Sequence, residues 1–566
     1  MDIVREIEDI SLQPEFQKRV TTFLEQICSI DTSPAQELSS LRENEHRVFH
    51  IIETQLKSLH FPESETVLKE ISPVICDHPS YSVPYYAFGA TQEVYEGRHN
   101  LLYMVNPTVD HSGRGTALNA HIDTVPPYFS PSLDKDVLSG RGSADDKGNI
   151  AVIIGTLLIL DKLLRRRQIT LRNRLTAMFV IDEEIGGNGS LDLVIDKRIN
   201  ERFDSILVLE CTDNNIHPAN RGAIFIKCEG IASAMDKRYE DDISIEEAFA
   251  FGIIALLEEG EKLKRESFHP LFPHRPVQTC TGILGPFGEH PSAICGQVEF
   301  LLVPSDELPV REIVEKTIER GIEKYIDIYG DKTRIVDPST GRRKLVEHYK
   351  IRREENTYVV KVMGTTGHMG SLLENDAAIA KWAYIAREFI EDRLLHRSRL
   401  KVKLAGQETT TSDKLVFEGA QGFLPTHSIE QIKTRTENAF RRGIESYLCS
   451  IGSNQEDIRC DISFNKLHND AYAGNPDARS VQIALRVAYE YGLRKPNQPV
   501  LGWDVSCDAR LFANEHPELS VITFGAGKLE DAHSDSERVV LSDIFRTICA
   551  SSLFVLVETG TIQFEL

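Results

Sequence analysis

The chain has 566 residues, long enough for two or three domains, each with its own core. Its 64 basic residues against 86 acidic ones leave a formal charge of −22, which argues against nucleic acid as a partner, because such binding relies on basic surface. The N-terminal segment MDIVREIEDI has no apolar signal core, no run approaches the roughly 18 apolar residues of a membrane span, and the 10 cysteines include no CxxC pair, so a reduced, cytoplasmic protein free of the membrane is expected.

Residues 1–220 alternate helical patterns with short apolar strands, the grammar of an α/β domain. Strands are predicted at Thr116–Ala120, Leu175–Ile181 and Ser205–Leu209. A helix over Asn149–Arg167 follows the glycine-rich turn Gly140–Gly148. The same grammar returns in residues 466–566, with Ser520–Phe524 as its last clear strand.

The texture of residues 221–465 differs, and two similar β-α-β-β-α runs are predicted there, about 221–330 and 357–465. The first reads strand Ala223–Cys228, helix Ser244–Lys264, strands Thr279–Leu284 and Ile294–Val303, then helix Pro309–Ile326. The second reads strand Thr357–Met363, helix Asn375–Leu394, strands Lys401–Ala405 and Lys414–Glu418, then helix Ser428–Leu448. Their last helices share a signature, Arg320-Gly-Ile-Glu-Lys-Tyr325 against Arg442-Gly-Ile-Glu-Ser-Tyr447, which points to an internal duplication. Between the copies, the charged stretch Asp331–Asn356 reads as a linker.

The residues that carry chemistry sit at the ends of apolar strands, where open α/β sheets collect their ligands. In Leu118-Asn-Ala-His-Ile-Asp123, His121 and Asp123 share a face, so Asp123 can accept a hydrogen bond from one imidazole nitrogen and leave the other for a metal. Taken alone, the pair is better explained by a surface strand end. In Gly140-Arg-Gly-Ser-Ala-Asp-Asp-Lys-Gly148, two carboxylates stand at a helix entrance and either cap the helix or bind metal. Asp145 is the candidate bridge, since one carboxylate has two oxygens. Ile181-Asp-Glu-Glu-Ile-Gly-Gly187 strings three acids together; they form a solvated loop, or, if buried, require cations. The functional reading gives Glu184 to a metal and leaves Glu183 to move protons. Glu210 ends the strand Ser205–Leu209, and His533 follows the last strand in Phe524–His533. Each feature alone has a bland explanation; the five in this order do not.

The joint pattern resembles the M20 family of metallopeptidases and deacylases, from Phe23 to Glu537, closely at the motifs and in outline through the middle. The resemblance implies a mixed-sheet metallohydrolase catalytic domain, residues 1–220 and 466–566, interrupted by an α+β lid at 221–465 that is internally duplicated. It implies two divalent ions, one held by His121 and Glu210, the other by Glu184 and His533, with Asp145 bridging. Glu183 would activate the bridging water, and Asp123 would support His121. A thiolate-free nitrogen and oxygen site suits zinc first, with cobalt or manganese also fitting. Asp146 is less suited as a ligand, because family members often have methionine there.

In this family a lid histidine donates to the oxyanion, and His368 in Gly364-Thr-Thr-Gly-His-Met369 matches it; the aligned residue of the first copy is Ala234. The doubled lid is similar to the monomeric dipeptidase branch, which implies that His368 acts within one chain and that a monomer is active. Arg510 in Ser506-Cys-Asp-Ala-Arg510 matches a family segment and would meet a substrate carboxylate or form a structural salt bridge. The family's proline after the lid histidine and its Asn-x-Ile-Pro element are missing, so substrate contacts do not carry over. The implied activity is hydrolysis of an amide bond in a dipeptide or small peptide. An N-acyl amino acid deacylase is the alternative, and an inert binding or scaffold relative the minor one.

Overall fold

A computed structural model describes residues 3–34, 37–84, 93–108, 113–232, 243–304, 309–336, 341–369, 376–396, 400–406, 414–453, 458–534 and 536–565. Ala234 and Asn375 of the predicted repeat lie outside the described residues. The chain divides into two compact units, Met1–Arg221 with Ala471–Leu566, and Gly222–Asp470.

The discontinuous unit is built on a six-stranded sheet of β1 (Ser64–Glu70), β2 (His99–Val105), β3 (Gly115–His121), β4 (Leu175–Val180), β5 (Phe203–Val208) and β6 (Ser520–Thr523). Its order is β1-β2-β4-β3-β5-β6. The β1–β2 and β2–β4 pairs are antiparallel and the other three parallel, so the sheet is mixed, as expected. Every residue of β3 and β4 is buried, so neither shows the apolar–polar alternation of a strand with one face in water. The helix Lys147–Arg167 is buried on nearly all sides as far as Leu164 and packs along Leu541–Glu558. Its last turn carries Arg165, Arg166 and Arg167, where cations favour the helix dipole, and the chain leaves it through a left-handed Gln168.

The unit Gly222–Asp470 holds two antiparallel sheets of four strands in line, the first with a fifth short strand, His468–Asn469, also paired to Gly222–Ala232. The first runs Thr279–Leu284, Lys414–Phe423, Gly222–Ala232, Ile458–Ser463, and carries the helices Ile245–Glu266 and Ile429–Ile451 packed on each other. The second runs Leu400–Leu404, Gln297–Pro304, Thr357–Met363, Tyr349–Glu354, and carries Arg311–Tyr329 packed on Ala378–His396. All of the second sheet lies in the chain between Leu284 and Lys414 of the first. The pairing is therefore nested: each predicted copy, 221–330 and 357–465, contributes strands and a helix to both sheets. A β-α-β-β-α order reads the same in either arrangement, because strand partners are chosen far along the chain. The expected linker is corrected too: it supplies the edge strand Tyr349–Glu354, whose Tyr349 and Ile351 are half-buried between exposed Lys350 and Arg352.

The repeated signature has matching work in the two nested parts. Gly443 lies so close to the helix Ile245–Glu266 that a Cβ would stand 2.5 Å from the Phe251 carbonyl, and one on Gly321 would stand 2.6 Å from Ile385 Cα. The Tyr447 hydroxyl accepts from the Ser244 amide at 2.8 Å and that of Tyr325 from the Ala377 amide at 3.1 Å, each just ahead of the partner helix. Among the described residues, no helix is long and apolar enough to cross a membrane.

Candidate metal centre

Strands β3 and β5 are parallel neighbours, so their carboxyl ends deliver His121 and the segment leading to Glu210 to one edge of the sheet. The turn after β3 then returns Asp145. His121 Nε2 lies 3.1 Å from Asp145 Oδ1 and 4.0 Å from Glu210 Oε1. Its Nδ1 donates to the Asp123 backbone carbonyl at 3.0 Å, which leaves Nε2 as the lone-pair nitrogen facing the acids. On the other side of Asp145, His533 Nε2 lies 3.3 Å from Asp145 Oδ2 and 3.1 Å from Glu184 Oε1. Two groups thus form, His121–Asp145–Glu210 and Asp145–Glu184–His533, each with ligand atoms within 4.8 Å of one another and both sharing Asp145.

The electrostatics of this cluster ask for positive charge. Burial pushes the Glu210 carboxyl well above its ordinary range, and Asp146, Asp145 and Glu183 push it further. Burial alone would lower both imidazoles, yet Asp123 and Asp145 hold His121 well above the usual range, and Glu184 with Asp145 does the same for His533. Buried carboxylates outnumbering imidazoles, with no thiolate, form a donor set that fits divalent cations. The nearest thiols, Cys211 and Cys507, are free and buried, and burial raises both well above the ordinary thiol range, so they are inert.

Glu183 is half-buried beside the two groups and belongs to neither. Burial, then Asp508, Glu184 and Asp145, raise its carboxyl well above the ordinary range against the opposing pull of His121. Asp123 faces His121 as its spacing suggests and also serves the acidic loop. Its carboxylate accepts the Glu183 amide at 3.2 Å and the Glu184 amide at 3.0 Å, while its closest approach to His121 Nδ1 is 3.4 Å. Asp146 is fully buried and accepts from the His121 amide at 3.3 Å and from Asn149 Nδ2 at 2.6 Å, a brace between β3 and the following helix. Arg510 is buried and donates to the Gly186 carbonyl at 2.6 Å, beneath the acidic loop. Gly187 closes that loop at φ +77°, where a Cβ would also strike Asp508 Oδ1 at 2.3 Å. His368 belongs to the other unit, on the two-residue strand Gly367–His368 paired with Ala293–Ile294.

One residue escaped the sequence reading. Glu537, fully buried, accepts the Ala144 amide at 2.9 Å and the Asp145 amide at 3.0 Å, and pairs with the Arg141 guanidinium at 2.6 Å. It anchors the turn that presents Asp145. It stands four positions after His533 in the sequence, but nothing local announces a partner so far away.

Residues 117–556 match the family described as Peptidase family M20/M25/M40. A probable carboxypeptidase of Aspergillus terreus is 33% identical over 130 residues, covering 22% of this chain and 28% of its own length. Another from Arthroderma gypseum is 30% identical over 126 residues, covering 20% and 26%. The matched stretch thus spans little more than a quarter of these curated relatives. In fold the chain is similar to the di-peptidase Dug1p from Saccharomyces cerevisiae, with a TM-score of 0.55 at 12% identity, covering 99% of this chain and 98% of that one. It is also similar to human carnosine dipeptidase 1, with a TM-score of 0.53 at 15% identity, covering 99% and 100%. With the family's pattern matched over more than half of its length, and the two acidic-imidazole groups on one edge of the mixed sheet, the chain belongs to peptidase family M20/M25/M40.

Proposed function

We propose that this chain is a two-metal hydrolase that cleaves the amide bond of a dipeptide or other small peptide, the reaction for which its dipeptidase-like and carboxypeptidase relatives are named. The observation that carries the reading is the pair of ligand groups sharing Asp145, with Glu183 beside them and ligating in neither. His121 and Glu210 would hold one ion, Glu184 and His533 the other, and Asp145 both. Zinc suits the donors first, with cobalt or manganese also fitting. When bound, such a pair supplies Lewis acidity to a water and to the scissile carbonyl.

The chain's own residues do the rest. Glu183, with its carboxyl held high, takes the proton of the attacking water and returns it to the leaving amine. Asp123 keeps that base aimed through the amides of Glu183 and Glu184, and its carbonyl fixes the His121 tautomer. His368 is assigned as the oxyanion donor, acting within one chain, so that a monomer suffices, and the compartment is the cytoplasm. Arg510 is assigned to support of the acidic loop in preference to substrate contact.

Metal analysis should find about two transition ions per chain. Glu183→Gln should lower turnover of dipeptides by roughly 10²–10⁴-fold while leaving the metal content intact. No ion after reconstitution with zinc, cobalt or manganese would sink the reading, and an active Glu183→Gln enzyme would remove the base. Turnover of N-acetyl amino acids without turnover of dipeptides would shift the reading to a deacylase. An obligate dimer in solution, with activity tracking dimerisation, would overturn the cis action of His368.

A further inference from the structure

The acidic loop begins at Asp182, a non-glycine residue in the left-handed region at φ 62°. An aspartate tolerates that conformation better than most side chains, but it still needs surroundings that hold it there. They are unusually complete. The Arg98 guanidinium, fully buried, donates from Nη1 to Asp182 Oδ2 at 2.9 Å and from Nη2 to Asp182 Oδ1 at 2.6 Å. The Tyr95 hydroxyl donates to the same Oδ2 at 2.8 Å, and Asn188 Nδ2 in turn donates to that hydroxyl at 2.6 Å. The other side of Arg98 grips Glu45, Nε to Oε2 at 2.9 Å and Nη2 to Oε1 at 2.5 Å. Glu45 lies on the helix Leu38–Leu56 and Arg98 just ahead of β2, so one guanidinium ties two distant elements to the residue that turns the chain into Glu183. Only a planar fork with five donors serves two carboxylates in this way; a lysine ammonium does not.

We propose that Arg98 is a positioning residue for the second metal group, acting through Asp182 to hold Glu183 and Glu184 in place. The inference rests on the two-metal reading above. A buried ion triad that merely stabilises the unit would alter unfolding and leave the two ion sites equal; a positioning clamp alters one of them. The informative variant is Asp182→Asn, because asparagine keeps the size and the left-handed backbone and removes the charge. Zinc affinity is read by chelator competition in two backgrounds, each with a single remaining ion site. With His121→Ala, which leaves the Glu184–His533 site, adding Asp182→Asn should weaken zinc by about 10- to 100-fold. With His533→Ala, which leaves the His121–Glu210 site, the same change should move affinity by less than about 2-fold. Arg98→Lys should follow Asp182→Asn in both backgrounds. Should Asp182→Asn fail to fold, Tyr95→Phe removes only the hydroxyl bond to Asp182 and should weaken the Glu184–His533 site alone, by about 2- to 5-fold. Equal affinities, or equal losses at both sites alongside a lowered melting temperature, would overturn the clamp. A wild-type chain that binds no zinc would instead overturn the metal reading.

Discussion

Glu537 touches no candidate ligand side chain, yet it fixes the backbone from which Asp145 projects. Its carboxylate and Arg141 are both buried, so removing one leaves the other charged and unpaired. Glu537→Ala should therefore cost roughly 3–5 kcal/mol of stability, measured by denaturant unfolding, and Arg141→Met in the same chain should restore part of it. No change in stability would mean that the pair is not charged as drawn. The candidate ligands His121 and Glu210 stand out in the sequence because a histidine or acid closing an apolar strand is an uncommon residue at a buried position. Their supports do not. The spacing of His121 and Asp123 puts them together, and the carboxylate also accepts the amides of Glu183 and Glu184, which a one-residue interval cannot reveal. Arg98 and Glu537 act across the fold, and no short motif encodes either.

At the scale of elements, the signature shared by Arg320–Tyr325 and Arg442–Tyr447 gains a physical cause. Each glycine lets two helices approach closely, and each tyrosine hydroxyl receives the amide just before the partner helix. Gly443→Ala would place a methyl carbon against the Phe251 carbonyl and Gly252 Cα, backbone that cannot rotate aside. The cost should be roughly 1–3 kcal/mol, and Gly321→Ala should behave alike. Unfolding of the Gly222–Asp470 unit expressed within the full chain would register either loss, and an unchanged transition would refute the close approach. Helices and strands here were legible from periodicity, as Thr279–Leu284 and Thr357–Met363 illustrate with the predicted bounds. Tyr349–Glu354 was not, because four of its six residues are charged and the half-buried alternation of Tyr349 and Ile351 is too short to stand out.

For the whole molecule, the candidate ligand groups and the nested sheets lie in separate units, and their stabilities should respond to different agents. On the proposed two-metal reading, removing the ions with a chelator would leave buried carboxylates facing one another and withdraw the binding free energy. The transition of the discontinuous unit should fall by on the order of 10 °C in calorimetry while that of Gly222–Asp470 stays in place. A shift of both together would show that the two units unfold as one. The nested order of the middle was the least legible feature, since pairing of Gly222–Ala232 with Lys414–Phe423 joins residues that no local window sees together. The same long reach governs the catalytic unit. Its first part supplies His121, Asp145, Glu184 and Glu210, whereas β6 and His533 come only after the whole intervening unit. A chain emerging from the ribosome therefore displays the His121 group long before the Glu184 group can close. On the proposed two-ion reading, the second site would become complete only once His533 has been made.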